Sequence, residues 1–384
     1  MNAEKVLTEK VLMKGNEAIA ETAIRAGCRA YFGYPITPQN EIPTYMAQHM
    51  LDRGRIFIQA ESEIAAINMV YGASCAGARA MTSSSSPGIS LKQEGISYAA
   101  GADVPCVIAN VSRGGPGLGS IAPAQSDYFQ ATRGGGHGDY RCIVLAPKSV
   151  QECADLSYLA FDLADKYRMP VMVLVDGMIG QMLEGVVLPP ERSIGDLPKR
   201  SWTVGHRDES TASKKSRRAS RHITSINLVP EQLEAKTRVR FERYKTIMKD
   251  ELRFEESGCE GADIILTAYG TSARVCQGAK KLAEKKGVKA GLFRPITLWP
   301  FPYEELKKLA RGGKPILTVE MSLGQMVEDV HLSVLGSAPV YLLGHSGGVI
   351  PTEEEVFKKI KMILENGDII TEPHKAFEQA NWRG

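Results

Sequence analysis

Short apolar segments alternate with longer amphipathic stretches along most of the 384-residue chain. Each apolar segment has the length and the flanking glycine, proline or polar residues of a buried β-strand. In the first half of the chain these segments occupy residues 30–34, 55–59, 79–83, 104–111, 141–146 and 171–176. Helical spacing of apolar residues recurs between most of them, and the first helix is predicted to begin with Asn16 as its cap and to end at Gly27. Strands that alternate with helices predict an α/β fold: a doubly wound, mostly parallel sheet covered on both faces.

A second, smaller alternating unit begins near residue 262. Its predicted strands are 263–268, 288–293, 315–320 and 340–343, and its predicted helices are 272–285, 303–310 and 325–335. A polar stretch at 199–222 and a charged helix at 230–254 separate it from the first unit. We therefore expect four parts: a first domain at 1–195, a linker and helix at 196–255, a second domain at 256–365 and a C-terminal tail at 366–384.

The linker is basic, and the helix after it is amphipathic. The linker cations are Lys214, Lys215, Arg217, Arg218 and Arg221. They belong either to a solvated loop or to a docking patch for an acidic partner. The apolar side of the helix is predicted to lie against one of the domains through Leu233, Phe241, Tyr244, Met248 and Leu252.

Composition argues against several classes of protein. The net charge of +3 is too small for a chain of this size to make nucleic acid its main partner. No stretch has the ~18 uninterrupted apolar residues of a membrane-spanning helix, and the first residues lack the apolar core of a secretory signal. The seven cysteines are scattered and none is spaced as C-x-x-C, which argues against a zinc knuckle or an iron–sulfur cluster in this chain. We expect a cytoplasmic protein, with no membrane contact and with buried structural thiols.

Several familiar catalytic motifs are missing. The sequence has no G-x-x-x-x-G-K-[ST], no H-E-x-x-H and no nucleophile elbow, so hydrolases and nucleotide triphosphatases lose support. A nicotinamide dehydrogenase is a weaker alternative, because no G-x-G-x-x-G follows a strand with an acid about 20 residues on.

Candidate chemistry lies where predicted strands end. The loop Tyr34-Pro35-Ile36-Thr37-Pro38 follows the first strand, and Glu61-Ser62-Glu63 follows the second. A serine-rich turn from Ser83 to Ser90 and the glycine loop that begins at Arg113 follow two more. Open α/β sheets bind ligands at the carboxyl ends of their strands, so these junctions define a candidate active site.

The acid and the arginine at these junctions each have a second interpretation. Glu63 could act on a ligand or could offset the positive end of a helix dipole, and spacing alone does not separate it from Glu61. The planar fork of Arg113 suits a carboxylate ligand, but an arginine that pairs with a neighbouring acid to order a loop fits the sequence equally well.

Five ordered motifs resemble the alpha subunit of 2-oxoacid:ferredoxin oxidoreductases. They are Gly33-Tyr34-Pro35-Ile36-Thr37-Pro38, Glu61-Ser62-Glu63-Ile64-Ala65-Ala66, Ser86-Pro87-Gly88-Ile89-Ser90-Leu91, Arg113-Gly114-Gly115-Pro116 and Gly136-His137-Gly138-Asp139. The segments 294–300 and 319–322 extend the resemblance into the second unit. The resemblance implies a first domain like the pyrimidine-binding half of a thiamine diphosphate enzyme and a second like the carboxy-terminal domain of transketolases.

The resemblance also implies roles for individual residues. Glu63 would hold the aminopyrimidine ring of thiamine diphosphate and share a proton with a ring nitrogen. Thr37 and Arg113 would grip the carboxylate and nearby oxygen of the substrate. The remaining residues expected around the cofactor are Tyr34, Pro35, Ile36, Ser86, Pro87 and Gly88.

Partner chains are implied as well. In the family a beta subunit holds magnesium and the diphosphate through a Gly-Asp-Gly motif, whereas here Asp176-Gly177 follows Val175, so we expect no metal site in this chain. We also expect a gamma subunit, a ferredoxin-like subunit that carries iron–sulfur clusters, ferredoxin as electron acceptor and coenzyme A as co-substrate.

The motifs look most like those of the branched-chain, or 2-oxoisovalerate, enzymes, and Leu118 or Ile121 could line an apolar substrate pocket. A 2-oxoglutarate enzyme is one alternative, and it needs an extra cation for the distal carboxylate. A non-catalytic assembly subunit with the same fold is another.

Overall fold

The computed structural model describes residues 9–197, 200–204 and 222–366. The five linker cations lie outside these ranges, as does the predicted tail at 366–384 except for its first residue. The described strands are β1 (Lys10–Lys14), β2 (Ala30–Gly33), β3 (Ile56–Gln59), β4 (Ala80–Ser84), β5 (Cys106–Ser112), β6 (Ile143–Leu145), β7 (Pro170–Asp176), β8 (Leu183–Val187), β9 (Phe254–Ser257), β10 (Ile264–Thr267), β11 (Ala290–Pro295), β12 (Thr297–Trp299), β13 (Ile316–Glu320) and β14 (Val340–Gly344).

The helices fall between these strands along the chain. They are α1 (Gly15–Arg25), α2 (Glu41–His49), α3 (Glu63–Cys75), α4 (Ser86–Gly101), α5 (Tyr128–Thr132), α6 (Val150–Tyr167), α7 (Gly177–Gln181), α8 (Pro230–Asp250), α9 (Gly270–Lys285), α10 (Tyr303–Ala310), α11 (Met326–Val334) and α12 (Glu353–Asn366). None of the described helices combines the length and the apolar composition needed to cross a membrane.

The first domain is built on a seven-stranded sheet in the order β12-β6-β7-β5-β4-β2-β3. All of its strands are parallel except β12, which runs antiparallel to β6. Both faces are covered, as alternate residues of β5 show: Val107, Ala109 and Val111 pack with α1 and α6, whereas Cys106 and Ile108 pack with α3 and α4. The predicted doubly wound parallel sheet is therefore confirmed.

The second domain has a five-stranded sheet in the order β14-β13-β10-β11-β9, parallel except for β9. Strand β12 follows β11 in the second domain's part of the chain, but it pairs with β6 at the edge of the seven-stranded sheet of the first domain. The sequence did not predict β12, because a strand of three residues shows no periodicity and exists through its tertiary pairing. The two domains consequently share a sheet edge and one continuous apolar core.

Buried polar contacts fix the two domains together. Gln125 donates to the Tyr269 carbonyl at 2.9 Å and exchanges backbone and side-chain hydrogen bonds with Met321. Arg294, inside one of the segments of the family resemblance, binds Glu152 of α6 through two hydrogen bonds of 2.8 and 2.9 Å. A buried charge is tolerated when it is paired and hydrogen-bonded, as Arg294 is. The start of the 294–300 segment therefore has a structural role, which is to join the two domains.

Helix α8 is held by buried Tyr244 and Ile247 and by arginine ion pairs, and the predicted apolar side is only partly in contact. Of the five predicted residues, Tyr244 is buried, whereas Leu233, Phe241 and Met248 are 42–49% exposed. Arg240 and Arg243 of α8 form ion pairs with Asp103 at 3.1 and 2.8 Å. The prediction of an apolar contact was wrong for those three residues, which lie on the exposed side of the helix.

All seven cysteines are buried free thiols, as predicted. Burial raises the pKa of several of them, to about 12 for Cys28 and Cys142. A buried thiol with a raised pKa is a poor nucleophile, so these residues serve packing.

Candidate active site

The four predicted junctions lie side by side at one edge of the first sheet. They follow β3, β2, β4 and β5, which are neighbours in that order and run parallel. Since parallel strands end at the same edge, the loop after β2, the acid after β3, the serine turn after β4 and the arginine after β5 face a common region.

Glu63 is the first residue of α3, and its helix is capped by the residue before it. The Ser62 hydroxyl accepts a hydrogen bond from the Ala65 amide at 3.1 Å, which fixes the start of the helix. Glu63 is only 6% exposed, whereas Glu61 is exposed. Within the described ranges no group donates a hydrogen bond to the Glu63 carboxylate, so a buried acid is left with free acceptor capacity.

Helix α4 approaches this carboxylate through a glycine. A Cβ atom at Gly88 would lie 2.7 Å from Glu63 Oε1 and 2.1 Å from Ser84 Oγ. A side chain at this position would therefore collide with both groups, and only glycine lets the helix backbone come so close.

Arg113 lies directly after β5 and ties two loops together. Arg113 is 5% exposed, and its guanidinium donates to the Thr37 carbonyl at 2.8 Å and to the Leu118 carbonyl at 2.9 Å. Its backbone N–H donates to Ser86 Oγ at 3.0 Å, which brings the β4 and β5 junctions together. In the described part of the chain no carboxylate lies within ion-pair distance of Arg113, so the interpretation of an arginine paired with an acid is not supported.

The loop after β2 is anchored from behind by two side-chain amides, those of buried Asn16 and half-buried Gln181. Asn16 Nδ2 donates to the Pro38 carbonyl and to Glu41 Oε2, both at 2.8 Å, and Gln181 Nε2 makes the same pair of contacts at 2.9 and 2.8 Å. The prediction of Asn16 as a helix cap was wrong: α1 begins at Gly15, and the Asn16 side chain holds the loop instead. These contacts join residues that are more than 20 positions apart in the chain, so the sequence around Asn16 could not reveal them.

The other predicted site residues line this edge with varied exposure. Thr37 and Pro35 are exposed, Tyr34 and Ile36 are half-buried, and Ser86 and Pro87 are half-buried at the start of α4. Leu118 and Ile121, predicted for an apolar pocket, are 81% and 66% exposed.

Several buried polar atoms at this edge have no hydrogen-bond partner among the described residues. They are Ser84 Oγ, Ser85 Oγ, Lys92 Nζ and Arg113 Nε. Buried polar groups in proteins are nearly always satisfied, so an unpaired one beside a candidate site is open to a ligand or water. Together with the free carboxylate of Glu63, they fit a polar heterocycle bound at this edge.

Lys92 is a site residue that the sequence analysis missed. It lies one turn after Gly88 on α4 and is fully buried. Burial lowers the pKa of Lys92 to about 8, and the charge of Glu63 acts in the opposite direction. The available signal was a single charged residue among the small and apolar residues of this helix face, at Gly88, Lys92, Ile96 and Ala99.

Asp176 has a structural partner at the domain boundary. Its carboxylate accepts hydrogen bonds from the Thr271 amide at 2.8 Å and the Thr271 hydroxyl at 2.6 Å. Burial raises the pKa of the Asp176 carboxyl, and the hydrogen bonds from Thr271 act against that rise. Across the described ranges, no three histidine, cysteine or acidic side chains come together as a metal site.

Two family models match the chain, one for each domain. Residues 21–251 match the thiamine diphosphate-binding domain of pyruvate flavodoxin/ferredoxin oxidoreductases, and residues 262–356 match core domain II of pyruvate:ferredoxin oxidoreductase. Together these matches cover the seven-stranded sheet and all four junctions.

Two curated relatives are similar over nearly their whole length. The chain is 49% identical to ketoisovalerate oxidoreductase subunit VorB of Methanothermobacter marburgensis, with 92% of this chain and 97% of the relative covered. It is 38% identical to 2-oxoglutarate synthase subunit KorA of Methanothermobacter thermautotrophicus, with 92% and 99% covered.

Solved structures share the fold. A 2-oxoglutarate:ferredoxin oxidoreductase from Magnetococcus marinus, solved with 2-oxoglutarate, coenzyme A and succinyl-CoA bound, matches with a TM-score of 0.79 and 27% identity. The match covers 93% of this chain and 66% of that longer chain. A split-gene transketolase matches with a TM-score of 0.56 and 14% identity, which is a likeness of fold alone.

Proposed function

The chain belongs to the 2-oxoacid:ferredoxin oxidoreductase family, and from this membership we propose that it is the alpha subunit of a branched-chain 2-oxoacid:ferredoxin oxidoreductase. The reaction is the coenzyme A-dependent oxidative decarboxylation of 2-oxoisovalerate to an acyl-CoA, carbon dioxide and reduced ferredoxin. The observation that carries the proposal is the buried, unpartnered carboxylate of Glu63 at an edge where Arg113 and Thr37 also lie.

Thiamine diphosphate, when bound, supplies the carbon centre at which a 2-oxoacid loses carbon dioxide. Glu63 is the residue that would hold its aminopyrimidine ring, because its carboxylate is free to exchange a hydrogen bond and a proton with a ring nitrogen. Gly88 and Ser86 to Pro87 would border that ring, and Tyr34, Pro35 and Ile36 would close the site from the β2 side. Burial keeps bulk water from competing for the carboxylate.

Arg113 and Thr37 would bind the 2-oxoacid. Two of the five N–H groups of the Arg113 guanidinium donate to carbonyls. Its buried Nε has no acceptor in the described chain. A substrate carboxylate would accept hydrogen bonds from the remaining N–H groups of this guanidinium. Thr37, whose backbone carbonyl Arg113 already binds, is exposed and would present its hydroxyl to the same substrate. Leu118 and Ile121, exposed in this chain, would contact an apolar substrate tail once a partner chain covers them.

A second chain must complete the site. Asp176 is committed to Thr271, so the diphosphate and magnesium would be held by a beta subunit, and iron–sulfur clusters by a ferredoxin-like subunit. A gamma subunit and ferredoxin complete the proposed assembly, with coenzyme A as co-substrate. The cytoplasm remains the predicted location.

The exposed face of α3 and α4 is the proposed docking surface for the beta subunit. Ile64, Leu91 and Tyr98 form this α3–α4 face and are 48%, 51% and 36% exposed. Ile64 directly follows Glu63, so a chain seated there would deliver a cofactor beside the carboxylate. Exposed apolar side chains next to a site mark a place where a partner binds.

Leu91→Asp should weaken binding of the beta subunit at least about tenfold, because it places a charge in an apolar contact. The dissociation constant of the purified subunits, measured by calorimetry, checks this expectation. Leu332→Asp, at a leucine of similar exposure on α11, is the matched control and should leave binding unchanged. Equal binding of the Leu91 variant and the wild-type chain would place the beta subunit elsewhere.

The preference for a branched substrate rests on similarity, because identity to the ketoisovalerate enzyme subunit exceeds that to the 2-oxoglutarate enzyme subunit, at 49% against 38%. The reconstituted complex should turn over 2-oxoisovalerate with a kcat/KM at least about tenfold above that for 2-oxoglutarate, which corresponds to about 1.4 kcal/mol. Reduction of ferredoxin with each acid measures this ratio. Equal or better turnover of 2-oxoglutarate would favour the alternative substrate.

A non-catalytic assembly subunit is the alternative of another class. A scaffold has no physical need for a buried acid without a partner, since such a group costs free energy. Thiamine diphosphate content of the purified complex separates the two functions, and a complex without it would support the scaffold.

A further inference from the structure

The second domain reaches the loop of Arg113 through the turn that follows β14. This β14 turn comprises residues 345–349, and the arginine loop comprises residues 113–123. A Cβ atom at Gly114 would lie 2.8 Å from the carbonyl carbon of Gly347, and a Cβ atom at Gly348 would lie 2.3 Å from Ala122 Cβ. Each segment therefore has a glycine at the point where the other segment comes closest.

Both sides of this contact are held by backbone hydrogen bonds. In the arginine loop the Gly114 amide donates to the Ala122 carbonyl at 2.9 Å, and the Ser120 amide donates to the Gly114 carbonyl at 2.8 Å. In the β14 turn the His345 amide donates to the Glu320 carbonyl, at the end of β13, at 3.1 Å. Packed backbone of this kind is hardly compressible, so a displacement of the turn passes directly to the loop.

The guanidinium of Arg113 depends on the position of the arginine loop. Arg113 directly precedes Gly114, and its side chain donates to the Leu118 carbonyl within the loop as well as to the Thr37 carbonyl. A shift of the loop at Ala122 or Gly114 therefore moves the backbone from which the guanidinium extends. It also moves one of the two carbonyls that orient this group.

We propose that Gly348 is a positioning residue for the 2-oxoacid: through its contact with Ala122, the second domain sets the position of the arginine loop and of the guanidinium that binds the substrate carboxylate. The inference rests on the proposed function, because Arg113 is the proposed ligand of the substrate. Glu63, the proposed ligand of the cofactor ring, follows β3, and β4 and β2 separate that strand from β5. The contact therefore acts on the substrate and leaves cofactor binding unchanged.

Two physical reasons for a glycine at position 348 can be separated within the same turn. Gly348 has a φ of +108°, which side chains rarely adopt, and it also lacks space for a Cβ atom. Gly347 has a φ of +66°, but a Cβ atom there would have nothing within 4 Å. Gly347 is therefore a matched control that carries the backbone strain without the collision.

Gly348→Ala in the complete complex tests this role. The added methyl group must displace Ala122, so KM for 2-oxoisovalerate should rise at least about tenfold, since misplacing a binding group by about 1 Å is enough for such a loss. The dissociation constant for thiamine diphosphate, measured by quenching of protein fluorescence, should stay within about twofold of the wild-type value. Gly347→Ala should leave KM within about twofold.

A second substitution separates the collision from the backbone strain at position 348 itself. Ala122→Gly removes the methyl group that Gly348→Ala would strike, but it leaves the φ of residue 348 as it is. The double variant should return KM to within about threefold of the wild-type value. Ala122→Val presses on the β14 turn from the first domain, at a residue without a positive φ. It should raise KM in the same way if Gly348→Ala fails to assemble.

The outcomes distinguish this inference from the proposed function. A wild-type complex that contains no thiamine diphosphate, or that decarboxylates no 2-oxoacid, would overturn the proposed function itself. An active wild-type complex whose Gly348→Ala and Ala122→Val variants keep the wild-type KM would overturn the role of Gly348 alone. An equal rise in KM for Gly347→Ala, or a double variant without recovery, would also overturn it, because strain in the turn would then be the cause.

Discussion

Glu63→Gln should lower kcat for oxidative decarboxylation by about 10²–10⁴-fold in the assembled complex, the usual contribution of a proton-transferring side chain. Glutamine keeps the size of the side chain and its hydrogen-bonding capacity but cannot exchange a proton with the pyrimidine ring. Because the Glu63 carboxylate has no protein donor to lose within the described ranges, the fold should survive the change. Single-turnover release of carbon dioxide from 2-oxoisovalerate measures the effect.

Glu61→Gln is the matched control, two residues away and exposed. It should leave kcat within about twofold, since an exposed carboxylate in this loop touches no part of the proposed site. Near-normal decarboxylation by the Glu63 variant, or an equal loss in the Glu61 variant, would remove Glu63 from the mechanism.

Arg113→Lys should raise KM for the 2-oxoacid and lower kcat/KM by roughly 30–100-fold, or about 2–3 kcal/mol. An ammonium group is a point donor and cannot hold two loop carbonyls while also presenting a planar fork to a carboxylate. The substitution has two effects at the same place. The substrate carboxylate loses its bidentate donor, and the Thr37 and Leu118 carbonyls lose the group that aligns their loops. Initial rates over a range of 2-oxoacid concentrations give the two constants separately.

Arg141→Lys is a close control for this variant. Arg141 also donates to backbone carbonyls, those of Arg133 and Tyr140 at 3.1 and 2.9 Å, but it lies before β6 and away from the carboxyl edge. Its replacement should leave KM unchanged. An unchanged KM for the Arg113 variant would show that the guanidinium serves only to order its loops.

The sequence predicted correctly that the junctions after β2, β3, β4 and β5 meet at one edge of the sheet. Strands of a parallel sheet end at one edge, so a periodic pattern was enough to place Thr37, Glu63, Ser86 and Arg113 together. It did not separate Glu61 from Glu63, because the distinction depends on burial. The structure buries Glu63 at the start of α3 and exposes Glu61.

Long-range contacts were beyond reach of the sequence. Asparagine is a common helix-capping residue, yet the Asn16 amide binds the Pro38 carbonyl, 22 residues away in the chain. The three-residue strand β12 and the charge pairs that hold α8 likewise depend on partners distant in sequence.

The chain itself determined the α/β class, the order of its elements and the residue types at the sheet edge, since hydrophobic period and turn residues act locally. Tertiary structure alone decided which acid is buried, which carbonyls Arg113 holds and that Lys92 is buried. These outcomes depend on how much water each group loses, and desolvation is set by atoms that are close in space but distant along the sequence.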